Sequence, residues 1–423
     1  MSFYNKQLEK RPGSSNIGGS HPPRSAMIPS NAFDHVVALL KELVQIDSVN
    51  SSLVPGGAGE RQIASFLCAY LQQRGIYADL HEITPGRFNV IAKVTGNSPG
   101  PRILLNGHLD TVSVEGMQTP FQPVELDGRV YGRGAQDMKG GLAAGISTLL
   151  ALSSNREAFR GELLLAAVAD EEDQSLGTQH FLRNWNPSEP IDFAVVLEPT
   201  DLRVCTAHKG FAWFEIHAAG VAAHGSRPQE GVDAIRTMGF VLNELDRLDQ
   251  ELRARSPHPL LGHGSLHASF IEGGREWSSY PDSCILKYER RTLPEDSEEG
   301  MRTELETICS RISHADPRSK VAGRMVCART PFHIERSHPW VEAFYNKARA
   351  LLPQLVEWGA ASFWTDAALL SQSGIPTVVF GPRGAGLHST AEYVISGDVR
   401  ACAELIYEFA TANEFQKERY PND

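Results

Sequence analysis

Residues 162–177 read ELLLAAVADEEDQSLG: an apolar run from Leu163 to Ala169 ends in four consecutive acids, Asp170, Glu171, Glu172 and Asp173. A short run that is apolar at successive positions reads as a strand buried on both faces, as in the parallel sheet of an α/β fold. Four carboxylates at the end of a buried strand repel one another, and desolvation disfavours their charged forms. Such a run is either a solvated corner or the seat of cations.

The rest of the chain sets bounds on that choice. At 423 residues it exceeds the usual size of one hydrophobic core, so two domains are expected. With 41% apolar and 22% charged residues it has the composition of a globular protein. The net charge of −11 argues against nucleic acid or an anionic membrane as the main partner. Cys68, Cys205, Cys284, Cys309, Cys327 and Cys402 show no paired spacing, which reads as free thiols in a reducing compartment. No apolar run approaches the ~20 residues needed to span a bilayer. Residues 1–30, rich in Gly, Ser and Pro, read as a disordered lead-in without the apolar segment of a secretory signal. The expected location is the cytoplasm.

Upstream of the acid run, helical periodicity covers about residues 33–44 and 60–71, followed by strand-like IYADLHEI, FNVIAKVTG and RILLNGHLD. A Gly-rich turn, YGRGAQDMKGG, leads into the helix LAAGISTLLAL. Downstream come a helix at about 177–184 and the strand IDFAVVLEPT. This alternation predicts a mostly parallel sheet covered by helices, with ligands gathered beyond the carboxyl ends of the strands. From about residue 212 to 328 the order becomes strand, helix, strand, strand, helix, strand, which predicts an inserted α+β unit. A helix, the strand IPTVVFGP and a last helix then return to α/β character.

Five residues fall at predicted strand ends or adjoining glycine-rich turns. His108 and Asp110 in NGHLD are two apart, so their side chains share one side of an extended strand. The carboxylate can then bond one imidazole nitrogen and leave the other for a metal. Asp137 lies among the glycines of GRGAQDMKGG, Glu198 ends FAVVLE, and His388 follows the strand TVVF in GPRGAGLHST. Singly, each is an ordinary surface or turn residue. Together, two imidazoles and the three carboxylates of Asp137, Glu172 and Glu198 make a set that two divalent ions and one hydroxide would neutralise. Nitrogen and oxygen donors without thiolate suit zinc, cobalt or manganese, and a pair of such ions lowers the pKa of a shared water. In this reading Glu172 binds metal and Glu171 takes the proton from the water. Asp170 and Asp173 are supporting or solvated.

The motifs GHLDTV, GRGAQDMKGG, DEED, LEPT, AAHGSRP, RRTLP and GP…GLHST, spread over about residues 33–412, resemble the di-zinc amidohydrolases and exopeptidases that include acetylornithine deacetylase, succinyl-diaminopimelate desuccinylase, aminoacylase and carboxypeptidase G. The resemblance implies a zinc-exopeptidase-like α/β catalytic domain (31–211 and 329–423) and an inserted ferredoxin-like dimerisation (lid) domain (212–328) that makes a homodimer. It implies that His108, Asp137 and Glu198 hold one zinc and Asp137, Glu172 and His388 the other, with a cis bond after Asp137. Asp110 would orient His108, and Glu171 would be general base and then acid. His224 in AAHGSRP would reach the other subunit's site and stabilise the oxyanion. Arg291 would pair with a substrate carboxylate, with Arg290 on the opposite face of its strand.

Two positions depart from the family pattern. Ser278 stands where relatives usually carry Asn, and Arg383 where they usually carry Gly. Arg383 either points inward as an extra carboxylate contact or outward into solvent. The expected activity is hydrolysis of the amide of an N-acyl amino acid or small dipeptide-like molecule. An N-carbamoyl or specialised secondary-metabolite amide is the alternative, and a non-catalytic dimeric binding protein the remote one. Cys205 beside His208 and Lys209 has no accompanying oxyanion turn, so a thiol nucleophile is rejected.

Overall fold

In the computed structural model, residues 31–412 are described, and the expected lead-in at 1–30 lies outside them. The strand Glu162–Val168 sits inside a nine-stranded sheet, parallel to Arg102–His108 and antiparallel to Arg87–Thr95. Its side chains alternate between two cores. Leu163, Leu165 and Ala167 join one, and Leu164, Ala166 and Val168 join the other. This double burial explains an apolar run without alternation.

Phe193–Val196 and Thr377–Val379 extend the parallel centre. Tyr77–Thr84 closes one margin antiparallel, while Val204–His208, Phe332–His333 and Trp358–Ala361 form the other. Helices Val36–Gln45, Arg61–Gln72, Gly140–Ser154, Pro339–Leu351 and Ser396–Ala410 contribute to the first core, and Leu176–Asn184 and Ala367–Gln372 to the second. A Cβ at Gly141 would lie 1.9 Å from the carbonyl oxygen of Leu197. Only glycine lets the helix after Asp137 press onto the strand end that presents Glu198.

Between Gly210 and Arg329 the chain builds a second sheet, ordered Ser265–Gly273, Ser283–Thr292, Gly210–Ala219, Lys320–Arg329, with every neighbouring pair antiparallel. Helices Ala234–Ala254 and Glu298–Ala315, capped by the side chains of Asp233 and Ser297, complete a β-α-β-β-α-β unit. Phe214, Ile216, Val241, Leu286 and Leu305 form a core of its own under those helices. The other face of the sheet, with Trp213 and His217, is open.

A third small sheet joins Val124–Leu126 and Arg129–Tyr131 to Gly384–Ala385 and Tyr393–Ile395. Neither it nor the buried strand Val204–His208 is predicted from the sequence. All six cysteines are free. No helix among the described residues is long and apolar enough to cross a membrane.

Candidate active site

The predicted ligands meet beyond the carboxyl ends of the parallel strands. His108 closes its strand, the acid segment follows Val168, and Glu198 lies just past Val196. Asp137 sits in the turn that opens the helix Gly140–Ser154, and its bond to Met138 is cis. His388 comes from the loop beyond Val379, with φ +58°, in the left-handed region that few non-glycine residues adopt.

Asp137 is the hub. Its Oδ1 lies 2.9 Å from His108 Nε2 and its Oδ2 lies 3.3 Å from His388 Nε2. His108 Nε2 also faces Glu198 Oε1 at 3.6 Å, and His388 Nε2 faces Glu172 Oε2 at 3.3 Å. Two half-sites therefore share one aspartate. Glu171 belongs to the same cluster: potential ligand atoms of His108, Glu171 and Glu198 lie within 4.8 Å of one another, as do those of His108, Asp137 and Glu172.

The electrostatics describe a site short of positive charge. Burial raises the carboxyls of Glu171, Glu172 and Glu198, and neighbouring acids raise them further: Glu198 acts on Glu171, and Asp137 acts on Glu172 and Glu198. Burial opposes a charge on His108, but the bond to Asp137 and the nearby acids outweigh it and hold that imidazole well above its ordinary range. His388 is pushed up to about 10 by its bonds to Asp137 and Glu172. Among the described residues, Glu172 Oε1 is buried and finds no hydrogen-bond partner. Two imidazoles, crowded carboxylates and an orphaned oxygen fit divalent cations with nitrogen and oxygen preference.

A sign follows for metal uptake. His388 is protonated below about pH 10 and must be neutral to bind a cation. Loading the apoprotein with zinc at neutral pH is therefore expected to release protons, with affinity falling as pH is lowered. Calorimetry in buffers of different ionisation enthalpy reads this directly. A binding heat independent of buffer would show that the imidazole is already neutral.

Asp110 corrects an expectation. Its carboxylate Oδ1 stands 3.8 Å from His108 Nδ1, which instead donates to the Asp110 backbone carbonyl at 2.9 Å. The carboxylate is committed elsewhere: it accepts the backbone N–H groups of Glu171 and Glu172, each at 3.2 Å, and Asn50 Nδ2 at 2.7 Å. Asp110 thus orients His108 through its main chain and holds the acid segment through its side chain. Asn50 also reaches Asp170 Oδ1 at 3.1 Å, and Arg87 bridges Asp170 and Glu60 at 2.7 and 2.6 Å. Asp170 is therefore buried and bonded, at φ +69°.

Glu392 is a second support absent from the sequence reading. Its carboxylate accepts from the backbone of Gly134 (2.9 Å), Gln136 (2.9 Å) and Asp137 (3.1 Å) and from Arg133 (2.7 Å). The small third sheet brings it there, so the turn carrying Asp137 hangs from the segment that also supplies His388. The motif GLHSTAEYV contains this glutamate; nothing local tells that its partners lie so far back in the chain. Asp366 is a further buried acid that the sequence does not single out. Burial pushes its carboxyl up to about 6 although Thr178 donates to it at 2.6 Å.

The remaining predicted residues lie outside this cluster. His224 is exposed, with Nδ1 2.8 Å from Ser226 Oγ, and Gly225 N–H donates to the Ser278 carbonyl at 2.7 Å, so His224 and Ser278 lie on two surface segments of the second sheet's unit that pair with each other. Arg291 lies on the open face of that sheet, while Arg290 is buried and bonded to Asp296 at 2.8 Å. Arg383 places its Nε and Nη2 on the Asp398 carboxylate at 2.6 and 2.8 Å. That edge of the guanidinium is held by the first turn of the helix Ser396–Ala410, which fixes the direction of a side chain whose orientation the sequence leaves open. Cys205 is buried, and burial pushes its thiol up to about 12, far from a nucleophile's range.

Fold and site together define a hydrolase of amide bonds, of the metallopeptidase and amidohydrolase kind. Residues 104–412 match Peptidase family M20/M25/M40, and the chain belongs to that family. It is 28% identical over 354 residues to an acetylornithine deacetylase of Vibrio atlanticus (strain LGP32), covering 81% of this chain and 88% of the relative. It is 26% identical over 410 residues to an N-formyl-4-amino-5-aminomethyl-2-methylpyrimidine deformylase of Bacillus subtilis (strain 168), covering 89% of this chain and 94% of the relative. In fold it is similar to a dinuclear metal-binding M20 peptidase of Bacillus subtilis, with TM-score 0.68 and 16% identity over 90% of this chain and 98% of that one.

Proposed function

We propose that the protein removes a small acyl group from the nitrogen of an amino acid or dipeptide-like molecule. The observation that carries this is Asp137, set between two imidazole–carboxylate pairs with Glu171 alongside. His108, Asp137 and Glu198 would hold one ion and Asp137, Glu172 and His388 another, zinc being the best match to the donors. When bound, such ions supply Lewis acidity for the carbonyl and acidify water.

The chain's own residues do the rest. Glu171, held by Asp110 through its backbone, accepts a proton from the attacking water and delivers it to the departing amine. A carboxyl raised by burial and acidic neighbours is suited to that exchange near neutral pH. His224 and Ser278, on two paired exposed segments, would complete the site of a second copy. Exposed Trp277, Phe270, Ile271 and Val221 on the same unit support a homodimer formed through it. The free cysteines fit a reducing compartment such as the cytoplasm.

The test is a mass-spectrometric panel of N-acetyl, N-succinyl, N-formyl and N-carbamoyl amino acids and simple dipeptides, with and without chelator. Cleavage of one subset, abolished by chelator, is expected. Silence across the panel with metal bound would leave a binding protein. A second reading, an N-formylated heterocyclic amine, is favoured by the match to 94% of the deformylase, and one such compound belongs in the panel.

A further inference from the structure

The open face of the second sheet carries an arrangement that the proposed chemistry does not use. Glu289 and Trp213 are directly opposite one another on neighbouring strands, as are Arg291 and Phe211. Trp213 Nε1 donates to Glu289 Oε2 at 2.9 Å, and Arg291 Nε donates to Glu289 Oε1 at 2.6 Å. The Arg291 guanidinium lies 5.4 Å from the centroid of the Phe211 ring. Both oxygens of a nearly buried carboxylate are thus engaged, one fixing the arginine and one fixed by the indole. Among the described residues no hydrogen bond is made by Nη1 or Nη2 of Arg291.

This end of the face adjoins the acid segment. Arg329, directly opposite Phe211, donates through Nη2 to the backbone carbonyl of Asp173 at 3.1 Å. A guanidinium has two edges that can grip a carboxylate, and here the Nε edge is occupied. The edge left is the terminal one, held in plane by Glu289 and supported underneath by Phe211.

We propose that Glu289, itself locked by Trp213, is a positioning residue that presents the terminal edge of Arg291 to a substrate carboxylate. The inference rests on the reading that Arg291 receives that carboxylate. It commits the enzyme to substrates with a free carboxylate approached end-on, rather than to their carboxamides.

A negative charge beside Arg291 has two opposed effects, and their signs differ. If Glu289 only offsets the guanidinium charge, removing its charge strengthens carboxylate binding. If it holds the fork in place, removing the charge-assisted bond weakens it. The experiment compares the best-cleaved N-acetyl amino acid with its carboxamide in Glu289→Gln, Trp213→Phe and Arg291→Ala. In Glu289→Gln, the carboxylate-over-carboxamide ratio of kcat/KM is expected to fall about tenfold, carried by KM rather than kcat, the size of one charge-assisted hydrogen bond. Trp213→Phe keeps the ring, loses the donor, and should shift the ratio in the same direction by less.

An unchanged or higher ratio in Glu289→Gln, with Arg291→Ala still lowering it, would overturn the positioning role and leave Arg291 as the carboxylate's partner. An Arg291→Ala ratio equal to that of the unaltered protein would overturn the carboxylate reading itself. Equal losses on both substrates, in kcat as well as KM, would mean that Glu289 serves only the folding of the sheet.

Discussion

Glu171→Gln is expected to keep its metal and to lose about a thousandfold or more in kcat, within the range for removing a positioned general base. The substitution preserves volume, and the backbone N–H that Asp110 holds at 3.2 Å is untouched, so the acid segment keeps its course. On the proposed mechanism, what disappears is the ability to take a proton from water and return it to an amine. The geometry makes this a discriminating test, because Glu171 lies near enough to His108 and Glu198 to act as a ligand itself. Metal analysis by mass spectrometry and single-turnover kinetics separate the two roles. If the variant loses metal in proportion to activity, Glu171 is a ligand and the base lies elsewhere.

Asp137→Ala should be the most damaging single change. The carboxylate faces His108 with one oxygen and His388 with the other, and among the described residues no other carboxylate is paired with both imidazoles. Loss of at least one ion per chain is expected, together with a fall in turnover of about ten-thousandfold or more, since Lewis-acid stabilisation worth several kcal/mol goes with it. Chelation of the unaltered protein should give the same loss, reversed by adding zinc back. Recovery of Asp137→Ala by added zinc would show that the half-sites are independent and that Asp137 is not shared.

The strand pattern and the cluster of candidate ligands were legible for the same reason. A strand buried on both faces must be apolar throughout, and where it leaves the sheet the chain becomes polar abruptly, so the strand ends announce themselves in ELLLAAVADEED and RILLNGHLD. His108, Asp137, Glu172, Glu198 and His388 all fall at such ends or at the glycine-rich turns beside them. The supports behind them were not legible, because their partners are remote in sequence. Glu392 binds a turn more than 250 residues away, and Asn50 joins Asp110 to Asp170 across two separate strands. The edge strands Val124–Leu126 and Gly384–Ala385 are too short to show a period. Asp110 was placed on the correct side of His108, but its carboxylate was claimed by two backbone N–H groups that no spacing rule reveals. Arg383 illustrates the same limit: its direction was set by Asp398, a residue on the following helix, and not by the loop around it.

The most direct measurement is anomalous X-ray scattering at the zinc edge from crystals of the zinc-loaded protein. Two peaks per chain are expected, one among His108, Asp137 and Glu198 and the other among Asp137, Glu172 and His388. A single peak, or a pair in which Asp137 touches only one, would contradict the shared-carboxylate centre on which the proposed hydrolysis depends.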